Sequence, residues 1–150
     1  MTLSGFTFLT AGLLLAVQGP GPKDDLDKLQ GAWLTVSLVS DGKTVVDENL
    51  PPKPGPTTKV VYEGNEWKVK VGDKIVATGL IKVDSTKIPK ELDVLDESGM
   101  KNDKTKLAIY ELEGDTFRYC IALAGKPRPV DFSSKEGSGH ALIVSRRENP

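Results

Sequence analysis

The sequence predicts an all-β protein, an eight-stranded antiparallel up-and-down barrel preceded by a short helix. After residue 31, apolar and polar residues alternate with the period of two that strands require. Turn residues interrupt this alternation roughly every eight to twelve residues, a spacing typical of all-β folds. The 15 glycines and 10 prolines in 150 residues suit many tight turns. Eight is the strand number at which a meander closes into a small barrel without edges.

The helix is expected within Lys23–Gln30. Leu26 and Leu29 lie three residues apart there, which places them on one face of a helix. Acidic residues lie near its start, where the helix dipole favours negative charge. Gly31 ends the helix, and the strand pattern begins. The eight strands are expected at Trp33–Ser40, Thr58–Tyr62, Glu66–Val71, Ile75–Val83, Glu91–Leu95, Thr105–Leu112, Thr116–Leu123 and His140–Arg147.

Two stretches depart from the strand pattern. Thr44–Pro56 contains four prolines, which a helix or a central strand does not accept. Val130–Gly139 is polar and rich in glycine and serine, so it predicts a long loop. Such loops carry function or are tolerated surface insertions, and the sequence leaves both readings open.

The N-terminal segment predicts export. The first 22 residues carry no charged side chain, and Phe6–Val17 is an apolar run of 12 residues. That run is too short to span a bilayer as a helix and has the length of a signal-peptide core. We therefore expect residues 1–18 to be a cleaved signal peptide, with cleavage after Ala16 or Gln18, and residues 19–150 to form the barrel domain. The protein would then be periplasmic or extracellular, with no stable membrane anchor.

Composition excludes several function classes. A net charge of −1 with mixed signs gives no basic face for nucleic acid. One cysteine and one histidine exclude an intrachain disulfide, a cysteine zinc cage and a multi-histidine metal site. No metal or other cofactor is expected.

Several sequence blocks resemble a known family. Gly31 and Trp33 form a Gly-x-Trp that opens the first strand after a short helix, as in lipocalins. The blocks LQGAWLTVSLVSDGK, AIYELEGDTFRYCIA and FSSKEGSGHALIVSRR occur in this order, as do segments 79–84 and 89–93. Together they resemble an uncharacterised lipocalin-like domain family found chiefly in planctomycete bacteria, often behind a signal peptide.

The resemblance implies a fold and one structural site. In lipocalins the tryptophan closes one end of the barrel and an arginine of the last strand packs across it. Trp33 matches that tryptophan, and Arg146 and Arg147 are the candidates for the arginine. A guanidinium over an indole face is a favourable pair.

No catalytic residue is predicted. His140 lacks a nucleophile and an orienting acid at a recognisable spacing, and Cys120 is read as a small strand residue. An uncharacterised hydrolase is the distant alternative. The acidic cluster lacks the spacing of a calcium loop and is read as solvated surface, as is the pair Glu91 and Asp93. The cluster consists of Asp93, Asp96, Glu97 and Asp103.

Two non-enzymatic functions remain. The barrel encloses a small apolar or amphipathic ligand, or it is filled by its own side chains and serves as a structural or protein-interaction module. One face of the seventh strand carries the large residues Phe117, Tyr119, Ile121 and Leu123, which would nearly fill the barrel if they point inward. The other face carries Arg118, Cys120 and Ala122, and if it points inward, with Ala77, Gly79 and Ala108, there is room for a ligand. Tyr62, Tyr110 and Tyr119 are the candidate polar contacts for a ligand, since a buried phenol seeks a partner; protein partners are not predicted.

Overall fold

The computed structural model describes residues 24–51, 54–96 and 105–149. The predicted signal peptide lies outside these residues. They contain one helix and nine strands: α1 Asp25–Leu29, β1 Gly31–Ser40, β2 Lys43–Asp47, β3 Thr58–Glu63, β4 Glu66–Val71, β5 Lys74–Asp84, β6 Lys90–Asp96, β7 Lys106–Glu113, β8 Thr116–Ala122 and β9 His140–Arg147.

The strands form one closed antiparallel barrel. The sheet order is β2-β1-β3-β4-β5-β6-β7-β8-β9, and β1 also pairs with β9. Eight strands, all except β2, therefore close the ring, which confirms the predicted eight-stranded barrel with its short helix. Because the ring is closed, none of its eight strands is an edge strand. β2 pairs only with β1 and lies outside the ring.

β2 is the element that the sequence analysis missed. It lies at the start of the stretch predicted to be irregular, where Val46 pairs with Leu38 and Lys43 with Ser40. β1 is long enough to pair with β3 through residues 31–34 and with β2 through residues 37–40. The prolines follow β2, so only the second part of Thr44–Pro56 lacks a strand.

The strand register decides which side chains face the lumen. Directly opposed residues share a face, and Tyr119 opposes Tyr110 on β7 and Ile143 on β9. The large set on β8 therefore points inward, with Phe117 fully buried. The small residue Ala108 also points inward, opposite Ile121. The large face of β8 therefore lines the lumen together with Ala108, and the small face that carries Cys120 and Ala122 points outward.

The loop that follows β8 covers part of the outer surface of the barrel. The Ser133 carbonyl lies 3.3 Å from the Cys120 Sγ, and Cys120 is fully buried although it faces outward. Arg128 clasps the same surface: its Nη1 donates to the Ala108 carbonyl at 2.6 Å and its Nη2 to the Asp93 carboxylate at 2.6 Å. The predicted loop Val130–Gly139 contains no helix or strand and serves as outer cover.

Within the described part of the chain, no helix has the length and apolar character needed to cross a membrane.

Candidate ligand site in the barrel

Trp33 lies at one end of the barrel, which we call the closed end because α1 packs there. Its side chain is fully buried, and its Nε1 donates to the Leu29 carbonyl at 2.7 Å. Leu29 is also fully buried. The Gln30 side chain ties the end of the helix to the β3–β4 turn, accepting from the Gly64 backbone N–H at 2.6 Å. The helix is thereby held across the lumen.

Arg147 covers the tryptophan from the last strand. Its guanidinium carbon lies 4.3 Å from the Trp33 ring centroid, within the range of a cation–π contact. The same guanidinium donates to the Gln30 carbonyl at 2.7 Å and to the Asp115 carboxylate at 2.9 Å. Arg146, the other candidate, faces outward and pairs with Glu48 at 2.9 Å. The structure therefore places Arg147, not Arg146, against the indole.

Gly31 permits this arrangement. Its φ of +106° lies where side chains with a Cβ are strained. A Cβ at Gly31 would be in ordinary van der Waals contact with the Arg147 guanidinium, at 3.7 Å, so the backbone conformation alone favours glycine here.

Phe117 is the centre of the aromatic core. Its ring meets Trp33 at 5.9 Å, Tyr110 at 5.9 Å and Tyr62 at 6.1 Å, each edge-on. Tyr119 stacks on it at 4.9 Å. Edge-on and offset contacts at these distances add to the stability from burial. These rings fill the half of the barrel next to α1.

Asp25 is a buried carboxylate at the closed end. Its side chain is 4% exposed and accepts from Lys28 Nζ at 2.8 Å, Lys90 Nζ at 2.7 Å and the Tyr110 hydroxyl at 2.9 Å. Burial alone would raise the pKa of Asp25. The three hydrogen bonds outweigh burial and lower its pKa from 3.8 to about 2.

Tyr110 is part of the hydrogen-bonded cluster around Asp25 at the closed end. Burial and the hydrogen bond to Asp25 raise the pKa of Tyr110 far above its ordinary value. Its hydroxyl already has a partner, so it gives a ligand no free donor. Of the three tyrosines named as candidate contacts, Tyr110 thus contributes to the closed end.

The other half of the barrel is lined by apolar side chains that point inward and yet keep part of their surface exposed. We call this region the open half. Its lining residues are Val69, Ala77, Val94 and Ile121. Inward-facing apolar side chains lose their exposure when a barrel is packed solid. Their partial exposure indicates that this half of the barrel is packed less tightly than the half next to α1.

Three polar groups belong to inward-facing aromatic side chains, the hydroxyls of Tyr62 and Tyr119 and the indole N–H of Trp67. Tyr62 opposes Trp67 directly across β3 and β4, so both face the lumen. Trp67 Nε1 is buried and has no hydrogen-bond partner. Burial, and Tyr119 beside it, raise the pKa of Tyr62 well above its ordinary value, and burial raises the pKa of Tyr119 to about 12. No hydrogen bond contributes to either shift, unlike that of Tyr110.

Gly79 lets the Trp67 indole lie flat against β5. A Cβ at Gly79 would lie 2.6 Å from Trp67 Cζ2 and would also clash with the Leu95 carbonyl oxygen. No side chain with a Cβ fits there without displacing the tryptophan. Sequence reasoning named Gly79 as a small residue but had no signal for this contact.

An ion pair lies farther along β6 and β7. Lys106 Nζ is 3.7 Å from the Asp96 carboxylate, and both side chains are partly exposed. Lys106 opposes Val94, one of the residues of the open half. The charged groups are therefore at the end of the barrel opposite α1.

The remaining candidates from the sequence have structural partners. Glu91 and Asp93 both engage Arg128 on the outer surface. Burial raises the pKa of the Cys120 thiol, which disfavours the nucleophilic thiolate. His140 holds the loop after β8 through its backbone, since its carbonyl accepts from Ser134 Oγ at 2.7 Å; this bond gives the imidazole no role.

The acidic cluster is only partly within the described residues. Glu97 and Asp103 lie outside them, and Asp93 and Asp96 pair with Arg128 and Lys106. Across residues 24–51, 54–96 and 105–149, no group of three or more histidine, cysteine or acidic residues is placed to hold a metal ion.

Comparisons with protein-family models, with curated proteins and with solved structures each found no match to this chain.

Proposed function

We propose that this chain is an exported, non-catalytic, lipocalin-like domain that binds a small apolar or amphipathic molecule in the open half of its barrel. The observation that carries the proposal is the partial exposure of inward-facing apolar side chains such as Val69, Ala77 and Ile121. Apolar lumen surface next to water is the usual form of a small-molecule site.

The closed end supports binding over passage through the barrel. Trp33, Phe117 and Leu29 are fully buried there, so a ligand would enter from the opposite end only. A pocket with one entrance buries most of a small ligand, and burial of apolar area supplies affinity.

We propose binding without catalysis, because the described residues do not bring together a catalytic group of the kind that a hydrolase uses. The Cys120 thiol is buried on the outer surface under the loop that follows β8. A nucleophile, a base and an orienting group within hydrogen-bond reach are what a hydrolase needs. The resemblance to an uncharacterised lipocalin-like family points the same way and adds no activity.

Ligand binding is tested with a variant that fills the open half. Ala77→Phe places a ring where Ala77 faces the lumen, and we expect it to abolish ligand-induced stabilisation. Val76→Phe is the matched control, because Val76 is 49% exposed on the neighbouring position. Thermal shift and native mass spectrometry would use protein purified from its own host with fatty acids, sterols and aromatic compounds. A ligand at 100 times its Kd adds about 2.7 kcal/mol to the free energy of unfolding of the wild type.

The result also decides between a binding domain and a filled barrel. If no class of compound stabilises the wild type at a ligand concentration of about 100 μM, the barrel is filled by its own side chains. The chain is then better described as a structural or protein-interaction module. If Ala77→Phe binds as well as the wild type, the ligand lies outside the lumen.

Export is tested on the native protein. We expect mass spectrometry of the mature species to give a chain that begins near residue 19, because Phe6–Val17 has the length of a signal-peptide core. A mature species that retains Met1 contradicts export by cleavage.

A further inference from the structure

The two ends of the barrel differ in the side chains that they expose. Successive connections of an up-and-down barrel lie at alternate ends. The β3–β4 and β7–β8 turns lie beside α1, because Gly64 bonds to Gln30 and Asp115 to Arg147. The β1–β2 turn, the β4–β5 turn and the connection from β8 to β9 therefore lie at the opposite end, which we call the open end.

Four large apolar side chains at the open end are about half exposed or more. One follows the β1–β2 turn, two follow the β4–β5 turn, and one follows β8. They are Val45, Ile75, Val76 and Leu123. The other exposed large apolar residues of the described ranges are scattered: Leu50 follows β2, Val130 lies in the loop after β8, and Ile88 lies at the closed end.

A lysine lies beside each of these apolar sites. Lys43 begins the strand that holds Val45, and Lys74 directly precedes Ile75. At the third site the backbone N–H of Lys126 donates to the leucine carbonyl at 3.0 Å. We call the four apolar residues and these three lysines the open rim. An apolar side chain beside a lysine suits a lipid surface, because the apolar part enters the acyl boundary while the ammonium stays among the phosphates.

Hydrogen bonds join two of the connections that carry the open rim. The Gly139 N–H donates to the Asp41 carboxylate at 3.0 Å, and the Gly42 N–H donates to Ser134 Oγ at 3.3 Å. The β1–β2 turn and the loop after β8 are thus fixed to each other. Side chains that are already held in place lose less conformational entropy when they bind a surface.

Acidic side chains at the open end limit its attraction to an anionic surface. Asp41 accepts from the loop after β8, and Asp96 faces the lumen 3.7 Å from Lys106, so these two charges cancel. Asp73 and Glu136 are exposed. Acids and lysines are therefore mixed at this end. Apolar contact must supply most of the affinity, and the lysines of the open rim a preference for anionic lipid.

The arrangement of the open rim favours a lipid surface over a protein. Its apolar residues lie on three separate connections around the mouth of the barrel. A protein interface is built around one contiguous buried centre. A fluid lipid surface instead receives several protruding side chains at once, and the area that they bury sets the strength of binding.

We propose that the open rim docks reversibly on an anionic phospholipid surface. The apolar side chains enter the boundary between head groups and acyl chains, and the lysines contact the lipid phosphates. The mouth of the barrel then faces the lipid. This inference goes beyond the proposed function and does not require that the lumen binds a ligand.

Vesicle flotation of the mature protein, purified from its own host, tests the docking. We expect tighter binding to vesicles of phosphatidylcholine with phosphatidylglycerol than to phosphatidylcholine alone, and weaker binding as salt is added. Ile75→Ser should lower the partition coefficient about tenfold, because it removes apolar area from the contact. Ile88→Ser is the matched control, since Ile88 is 99% exposed at the closed end. It should leave binding unchanged.

Charge variants should move the binding in opposite directions. Lys74→Gln is expected to weaken binding to the anionic vesicles about threefold to fivefold. Asp73→Asn, at the neighbouring position, should strengthen it. Lys87→Gln makes the same change as Lys74→Gln in the connection from β5 to β6 at the closed end and should have no effect. A general loss of stability cannot produce this pattern.

A tryptophan reporter gives the orientation on the vesicle. Trp33 and Trp67 are buried, so a new exposed tryptophan is the one that lipid can reach. We expect brominated phosphatidylcholine in the anionic vesicles to quench the fluorescence of Ile75→Trp. The fluorescence of Ile88→Trp should not change.

Each other outcome overturns the inference. Failure to float with anionic vesicles excludes docking, and equal binding to both kinds of vesicle excludes the role of the lysines. Unchanged binding of Ile75→Ser, or quenching of Ile88→Trp, places another surface on the lipid. Self-association in sedimentation equilibrium that Ile75→Ser abolishes, without vesicle binding, assigns the open rim to a second copy of the chain. The ligand test with Ala77→Phe uses no vesicles, so the proposed function and this inference fail separately.

Discussion

Trp33→Ala is expected to lower the free energy of unfolding by about 3–5 kcal/mol, the range for truncating a large buried aromatic side chain. Trp33 is fully buried and meets Phe117 edge-on at 5.9 Å. Its removal also leaves the Leu29 carbonyl without the indole donor and Arg147 without the ring beneath it. The cavity would lie at the one place where the helix, β1 and β9 meet.

Urea unfolding measures the loss, with Trp67 as the remaining tryptophan signal, since the chain has two tryptophans. Trp33→Phe keeps a ring against Phe117 and should lose less. Val45→Ala is a surface control, 46% exposed in the wild type, and is expected to stay within about 0.5 kcal/mol. A loss of under ~0.5 kcal/mol for Trp33→Ala would contradict a closing role for the tryptophan.

The strands were predictable because local signals agreed with the fold. The hairpin turns at Gly64 and Gly114 both have a glycine with positive φ, at +61° and +56°, and each follows an alternating segment. Such turns determine the register of the strands on either side. Short-range signals therefore located most of the barrel.

β2 was not predicted because it is short and because the residues that follow it are typical of an irregular segment. It has five residues, and prolines follow it closely. Its pairing depends on β1 being long enough to serve two partners, which composition does not reveal. The Asp41-Gly42 turn before it was the available sign, since Asp41 and Gly42 both adopt positive φ.

The inward face of β8 was not predictable because each face carries fully buried residues. Phe117 on one face and Cys120 on the other are each fully buried, the second beneath the loop after β8. Alternation predicts the lumen side only where the outer side meets water. The pairing of β8 with β7 and β9 settled the question.

The candidate site was only partly accessible to sequence reasoning. The sequence offered the three tyrosines as candidate ligand contacts because of their residue type. It gave no information on which side chain each hydroxyl meets in the folded protein. Tyr110 meets Asp25, which is 85 positions away, and no spacing rule connects them. The Trp67 indole packs against Gly79 on the neighbouring strand, and this contact too has no local signal in the sequence.

Asp25 supports the second large prediction. Asp25→Asn should destabilise the protein by about 3 kcal/mol at pH 7, at the lower end for breaking a buried ion pair by removing one partner. The amide has one acceptor oxygen and cannot satisfy Lys28, Lys90 and the Tyr110 hydroxyl together. The two lysines are partly exposed and can turn to water, which keeps the cost at that lower end.

The same carboxylate predicts how the difference between wild type and variant depends on pH. The pKa of Asp25 is about 2 in the folded state against 3.8 ordinarily. A lowered folded-state pKa gives stability that is complete above the unfolded value and is lost as pH falls through the folded value. The shift corresponds to about 2 kcal/mol at 1.36 kcal/mol for each pKa unit. Most of the destabilisation by Asp25→Asn should therefore disappear between about pH 5 and pH 2.

Urea unfolding of the wild type and Asp25→Asn at about pH 7, 5, 3 and 2 tests this expectation, because the series covers the ordinary and the folded-state pKa of Asp25. Asp27→Asn is the matched control: it removes the same charge from the same first turn of α1, but Asp27 is exposed. Its effect should be small and its pH dependence weak. If the difference between wild type and Asp25→Asn stays constant down to pH 2, Asp25 is not held ionised by Lys28, Lys90 and Tyr110. The closed end would then depend on the apolar contacts of Leu29 and Trp33, because the ionic contacts of the helix would contribute nothing that acid can remove.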